Sequence, residues 1–259
     1  ILRSIAQTRL PQPNLTVRYH KGMDSHFFAE AVEVMKLGTG MPAFNNDEII
    51  IPSFIEKGVM EQDAYNYSAI GCVETGVPGK YGHRATGMTY VNWGKVLEIL
   101  LHNGVDPASG IQMLSVNGST GSEITFESYE ELWQGWEKLL KFYSDISVEC
   151  DAICDDALVQ YDADPFASCF IHDSMKLGKT LKEGGCRYDV ISQSNIGPCV
   201  VGNALYAIKQ LIFDEHAITW DELLAAMHDN WQSLESAKIH KKYGMPQNLE
   251  MMRMLWIRL

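Results

Sequence analysis

The chain has 259 residues, 46% hydrophobic and 21% charged, enough for one large core or two small ones. A formal net charge of -12 argues against a nucleic-acid or anionic-membrane surface as the main partner. No apolar run is long enough to span a bilayer and the N-terminus lacks a signal-peptide layout, so no membrane association and a cytoplasmic location are expected.

Residues 1–10, with no initiator Met, read as the end of an element that began earlier, which predicts an internal piece of a longer protein. Leu15 to Tyr19 alternates as a strand. Ser25 then offers an N-cap to an amphipathic helix through Phe28, Ala31, Val32 and Met35 that stops at Gly38, giving a βα unit. Asn45-Asn46-Asp47 reads either as an Asx-stabilised turn or as substrate-facing. Ile49 to Ile51 is a short strand candidate, and Pro52 to Lys57 a short helix closed by Gly58. Val91 to Asn103 has helical apolar spacing with Gly104 as its C-cap, and Asn103 to Ser122 reads as surface loop. A capping box at Ser128 to Glu131 opens a long helix through Trp133, Trp136 and Tyr143 toward Leu158, aromatics best read as core. A helix from Pro165 to about Leu181, a strand over 188–191 and a helix over 202–213 follow, and a second capping box at Thr219 to Glu222 heads another.

The six cysteines, at 72, 150, 154, 169, 186 and 199, show no paired CxxC, so reduced thiols are expected. Cys150 and Cys154 share a helical face, which suits core packing better than metal binding because no second pair completes a site. No metal site is expected.

Gly71-Cys72-Val73-Glu74 follows a tyrosine-rich approach and sits among four glycines within twelve residues. In an extended segment Cys72 and Glu74 would project to the same side, a thiol and a carboxylate facing one substrate. A buried Cys at a strand end beside a solvent-facing Glu is the plainer alternative.

The Gly-Cys-Val-Glu signature resembles the active-site loop of the glycyl radical enzyme superfamily, the pyruvate formate-lyase-like proteins, especially their dehydratase and lyase branch. Residues 11–20 (Pro-Gln-Pro-Asn-Leu-Thr-Val-Arg-Tyr-His), 40–52 (Gly-Met-Pro-Ala-Phe-Asn-Asn-Asp-Glu-Ile-Ile-Ile-Pro) and 182–189 (Lys-Glu-Gly-Gly-Cys-Arg-Tyr-Asp) also look like family segments, in the family's order. The similarity covers most of residues 10–240. It implies an α/β fold: a portion of a ten-stranded α/β barrel with long helices outside and the Cys loop threaded through its middle. It also implies that Cys72 becomes a thiyl radical that takes a hydrogen atom from a small polar substrate, with Glu74 as general base. The radical would be stored on a backbone glycine, with no bound cofactor. A radical-SAM iron–sulfur activase would install it, and the full-length protein would be a homodimer.

Departures from the family narrow the reading. Cys72 is preceded by Gly71 rather than a second Cys, which disfavours a formate-forming C-acetyltransferase. Thr86-Gly87 stands about where diol and choline members carry His-Asp. Lys80, His83 and Arg84 are read either as binders of an anionic substrate group or as solvated loop charges, and His83 with Cys72 as a minor non-radical thiol pair. Asn45, Asn46, His83 and Arg84 are the candidate substrate-binding residues. The family's Arg-Val-x-Gly-Tyr radical loop is absent from these residues, so the chain alone is expected to be inactive, either part of an active enzyme or a remnant retaining only packing surface. Residues 1–242 are expected to be the central part of a pyruvate formate-lyase-like domain. From Lys242 the sequence reads in a shifted frame as IWNAPKFGNDANVVDS, which resembles the family's continuation, so 243–259 are expected to be an out-of-frame tail.

Overall fold

The computed structural model describes residues 1–10, 12–71, 74–82, 87, 89–114, 124–191, 193–229 and 231–233. The expected out-of-frame tail lies outside them, as do Cys72, His83 and Arg84. In chain order the elements begin with α1 (Leu2–Thr8), β1 (Thr16–Tyr19), α2 (Ser25–Met35), β2 (Ala43–Asn46), α3 (Asp47–Glu56) and α4 (Glu61–Ala64). Then come β3 (Ser68–Ile70), β4 (Glu74–Gly76), β5 (Tyr90–Asn92), α5 (Trp93–Leu101) and α6 (Tyr129–Tyr161). The chain continues through α7 (Pro165–Ser168), α8 (Ser174–Leu177), a 3-10 turn (Leu181–Glu183), β6 (Ser194–Ile196), α9 (Pro198–Ile208) with a π-helical extension (Lys209–Asp214), and α10 (Trp220–His228). Among the described residues no helix is long and apolar enough to cross a membrane.

The chain divides into two compact units, 1–87 with 153–192, and 88–152 with 193–259. In the first, β1 and β2 pair in parallel across α2, with Arg18 opposite Asn45, the βα unit expected from the sequence. Val17 and Phe44 face a cluster of Leu2, Ile5, Ala31 and Val34. A second cluster of Ile51, Phe54, Val59, Ala64, Tyr67, Val77, Tyr81 and Tyr188 lies around the β3–β4 hairpin. In the second unit, β5 and β6 pair in parallel, and α5, α6, α9 and α10 share one core through residues such as Leu97, Leu100, Leu132, Leu139, Ile208 and Leu223.

Several expected elements change. The Ile49–Ile51 run is helical, inside α3, because Asn46 accepts the Glu48 N–H at 3.0 Å and Asp47 and Glu48 occupy the positive helix end. Ile51 and Phe54 are buried while Ile49 faces solvent, so the helical period wins over the β-preference of isoleucine. Gly58, at φ 86, ends the element as expected. The cap of α2 is Asp24, one residue before the expected Ser25, accepting from Phe27 N at 2.9 Å. Residues 90–92 are strand, and α5 starts at Trp93 under the Asn92 cap. The helix expected from Pro165 to Leu181 is three short turns, interrupted where Asp173 takes φ 77 and Gly178 φ 63. The strand expected over 188–191 reduces to one parallel bridge, Tyr81 to Tyr188. The helix expected over 202–213 begins earlier, at Pro198, whose fixed φ suits a first helical position.

The long helix and both cap positions at Ser128 and Thr219 are as expected, although Glu131 reaches back to Glu127 N rather than to Ser128 N. Trp136 is core but Trp133 is 38% exposed. Cys150 is exposed and Cys154 half-buried, so their shared face is not core; Cys186 is the buried one of the described cysteines. The segment read as surface loop from Asn103 starts inside the protein, Asn103 having no exposed area.

Candidate active site

β3 and β4 form an antiparallel hairpin in which Ser68 pairs with Gly76, Ala69 with Thr75 and Ile70 with Glu74. The connection between paired Ile70 and Glu74 is Gly71, Cys72 and Val73. β3 and β4 are thus antiparallel neighbours on either side of it, while Cys72 and Val73 themselves, and the extended run expected through them, lie outside the described residues. Gly71 stands at φ 57, a backbone region that costs most residues dearly but not glycine. The half-buried Glu74 folds its side chain back over Gly71: a Cβ on residue 71 would lie 3.2 Å from Glu74 Oε2. A carboxylate is thus brought over the residue that precedes Cys72.

Gly71→Ala is accordingly expected to cost about 1–2 kcal/mol for the left-handed conformation and to displace the Glu74 carboxylate. Equilibrium unfolding of the variant measures the first. Its turnover measures the second.

The hairpin's approach is fastened by side chains from other elements. Arg18 on β1 forks onto Asp47, Nε to Oδ1 at 2.9 Å and Nη2 to Oδ2 at 2.8 Å. It also donates to the carbonyls of Tyr67 and Tyr65, each at 3.1 Å. Tyr67, buried before β3, donates its hydroxyl to Asp47 Oδ1, and the Arg18 guanidinium stacks 3.9 Å from its ring centre. Burial pushes the Tyr67 phenol well above its usual range, and the Asp47 carboxylate beside it adds to that. Burial also pushes the Asp47 carboxyl up, but the hydrogen bonds from Arg18 and Tyr67 outweigh it and hold the group below the usual carboxylate range. Asn14 Nδ2 donates to the Gly71 carbonyl at 3.0 Å.

Beyond β4, Lys80 pairs with the buried Asp63 at 2.5 Å, and Tyr188 OH donates to the other Asp63 oxygen at 2.6 Å. These bonds, Lys80's first, hold the Asp63 carboxyl below its ordinary value. Lys80, read from the sequence as a candidate for an anionic substrate group, is occupied by this internal pair. The order of residues along the chain could not show that α4 would carry Asp63 to it.

Of the other candidates, Asn46 is engaged as the cap of α3. Asn45, 8% exposed, holds a buried Nδ2 with no hydrogen-bond partner among the described residues. His83 and Arg84, like Cys72, lie outside the described residues. Among the described residues no group of three or more His, Cys, Asp or Glu is placed to hold a metal ion. Arg18, Tyr67 and Asn14 were not singled out from the sequence, and Asp47 only within Asn45-Asn46-Asp47, read as a turn or as substrate-facing. The available signal was an Arg in the alternating Leu15-Thr16-Val17-Arg18 run, where it lands on the face opposite the core.

The profile of the family described as pyruvate formate lyase-like matches residues 1–250. The chain is 38% identical over 242 residues to a probable dehydratase, YbiW, of Escherichia coli (strain K12), covering 93% of this chain and 30% of that protein. It is 34% identical over 236 residues to trans-4-hydroxy-L-proline dehydratase of Clostridioides difficile, covering 91% of this chain and 29% of the relative. The crystal structure of hydroxyproline dehydratase from the same organism superposes with a TM-score of 0.73 at 32% identity over 91% of this chain and 29% of that one. A structure concerned with 1,2-propanediol dehydration in Roseburia inulinivorans gives 0.72 at 31% identity over 93% of this chain and 30% of that one. The chain spans about 30% of the length of these relatives, and its mixed helices and strands match a portion of the α/β barrel of glycyl radical enzymes. From the 1–250 match and from relatives that are glycyl radical dehydratases and lyases, the chain belongs to the pyruvate formate lyase-like family of glycyl radical enzymes.

Proposed function

We propose that the intact protein containing this chain is a radical lyase or dehydratase that expels water or another leaving group from a small polar substrate. The observation that carries the proposal is the hairpin that brings the Glu74 carboxylate back over Gly71, next to Cys72. The stored glycyl radical supplies the unpaired electron that makes Cys72 a thiyl radical. Cys72 then takes a hydrogen atom from a substrate carbon bearing a hydroxyl or similar group, forming S–H and leaving the unpaired electron on carbon. Glu74 removes the proton of that group. The negative charge so created drives the neighbouring C–X bond to break, X leaving with the bonding pair and taking up the proton held by Glu74, which gives water where X is hydroxyl and restores the carboxylate. Cys72 returns its hydrogen atom to the product radical and is a thiyl radical again.

Asn45 enters as a donor for a substrate oxygen, since its buried Nδ2 has no acceptor among the described residues. His83 and Arg84 are assigned to an anionic substrate group. The radical store is not in these residues, whose sequence lacks Arg-Val-x-Gly-Tyr. A radical-SAM activase installs it in the intact, homodimeric, cytoplasmic protein.

Anaerobic incubation of the intact protein with such an activase is expected to give a glycyl radical doublet in the EPR spectrum, and the 259 residues alone none. Absence of the doublet from the intact protein would favour a catalytically dead remnant.

A further inference from the structure

Two three-residue strands make a hairpin too small to hold its own geometry, yet the proposed chemistry, on which this inference rests, needs Cys72 in one place. The side-chain hydrogen bonds described to the backbone of its first arm come from one stretch of chain. Arg18 uses four of its five guanidinium N–H groups at once, on Asp47 and on the carbonyls of Tyr65 and Tyr67. Asn14, from the residues leading into β1, takes the Gly71 carbonyl. Carbonyls 65 and 67 lie at the base of the hairpin's first arm and carbonyl 71 at its tip. Asp47, at the start of α3, holds the fork of Arg18 from the far side and accepts the Tyr67 hydroxyl.

We propose that Asn14 and Arg18 are positioning residues for the radical step: a two-point clamp on the first arm of the Cys hairpin that sets where Cys72 stands. They act through the backbone of residues 65–71. The planar guanidinium is required because its N–H groups diverge to a carboxylate and two carbonyls together. A lysine ammonium carries the same charge but has three donors around one nitrogen and cannot span these acceptors. Displacement of a reacting group by about 1 Å is enough to cost roughly a hundredfold in rate.

The test uses the intact protein and hydrogen exchange read by mass spectrometry. Arg18→Lys is expected to speed amide exchange across residues 65–76 while peptides from α2 exchange as before. It should also lower kcat by roughly a hundredfold with KM and the glycyl radical doublet kept. A role for Arg18 as a charge alone would survive this substitution, so unchanged hairpin exchange and kcat would overturn the proposal. Asn14→Ala removes one bond of an incompletely buried residue and keeps the test available if the arginine variant does not fold. It should loosen the tip around Gly71, and unchanged exchange there would also overturn the clamp. Faster exchange with unchanged kcat would overturn the positioning role. Exchange does not depend on radical chemistry, so failure of the clamp is separate from failure of the Cys72 assignment, which Cys72→Ala tests.

Discussion

Replacing Cys72 by alanine in the intact protein is expected to remove turnover, by about a million-fold or more given the scale of enzymatic accelerations, while leaving the glycyl radical doublet in place. In the proposed mechanism the radical is stored on another residue, so its formation does not need the thiol. Substrate activation does, because sulfur forms an S–H bond close in strength to an activated C–H bond and hydrogen can pass both ways. Glu74→Gln should also keep the doublet but lose roughly 10^2 to 10^4 in rate, the usual contribution of a general base. The two variants separate the roles. Substrate deuterated at the reacting carbon should still exchange its label in the Glu74 variant, where hydrogen abstraction survives, and not in the Cys72 variant. Retained turnover in Cys72→Ala would place the chemistry elsewhere.

Gly104→Ala is expected to destabilise the second unit by about 2–5 kcal/mol, combining the left-handed backbone cost with overpacking. Gly104 stands at φ 81 two residues past His102, the C-cap of α5, and a Cβ there would fall 1.4 Å from the carbonyl oxygen of Leu114. That crossing is built into the fold: Gly104 N–H donates to Ile99 O at 2.7 Å, and its own carbonyl accepts Met113 N–H at 2.8 Å. No flexible side chain can move aside to make room, because the colliding atom is backbone. Gly110 provides the control. It has φ 72 with nothing within 4 Å of the added carbon, so Gly110→Ala should cost only the conformational part, about 1–2 kcal/mol. Equal chemical-denaturation midpoints for the two variants would show that the Leu114 contact carries no cost.

How far the sequence reaches depends on the range of the signal. The Thr219 cap, the long aromatic helix from Tyr129 and the strand at β1 were all legible, since each rests on residues within a few positions of one another, whereas the C-cap expected at Gly104 falls at His102, and Asn103, at φ 51, is the first left-handed residue. The Ile49–Ile51 run was misread because isoleucine favours strands in the absence of a cap, and the cap came from Asn46, read at first as part of a turn. The short strands β3 to β6 carry three residues each, too few for a period to declare itself. The family was legible from Gly71-Cys72-Val73-Glu74 and three further segments in order, and the 1–250 match bears it out.

By itself, then, the sequence determined the family and the βα unit at the N-terminal end, and it supplied the thiol–carboxylate pair, Cys72 and Glu74, on which the proposed chemistry rests. Tertiary structure decided which charges were free for that chemistry and which were used in holding the chain. Lys80 stands six residues beyond Glu74 and reads as a substrate ligand or a solvated loop charge, until α4 brings Asp63 to within 2.5 Å of it. Arg18 reads as one residue of an alternating strand pattern, until β1, α3 and the hairpin converge on its guanidinium. The physical reason is one of distance. Caps, turns and periods depend on neighbours in sequence, whereas an ion pair or a carbonyl clamp depends on neighbours in space, and those exist only once the elements have packed.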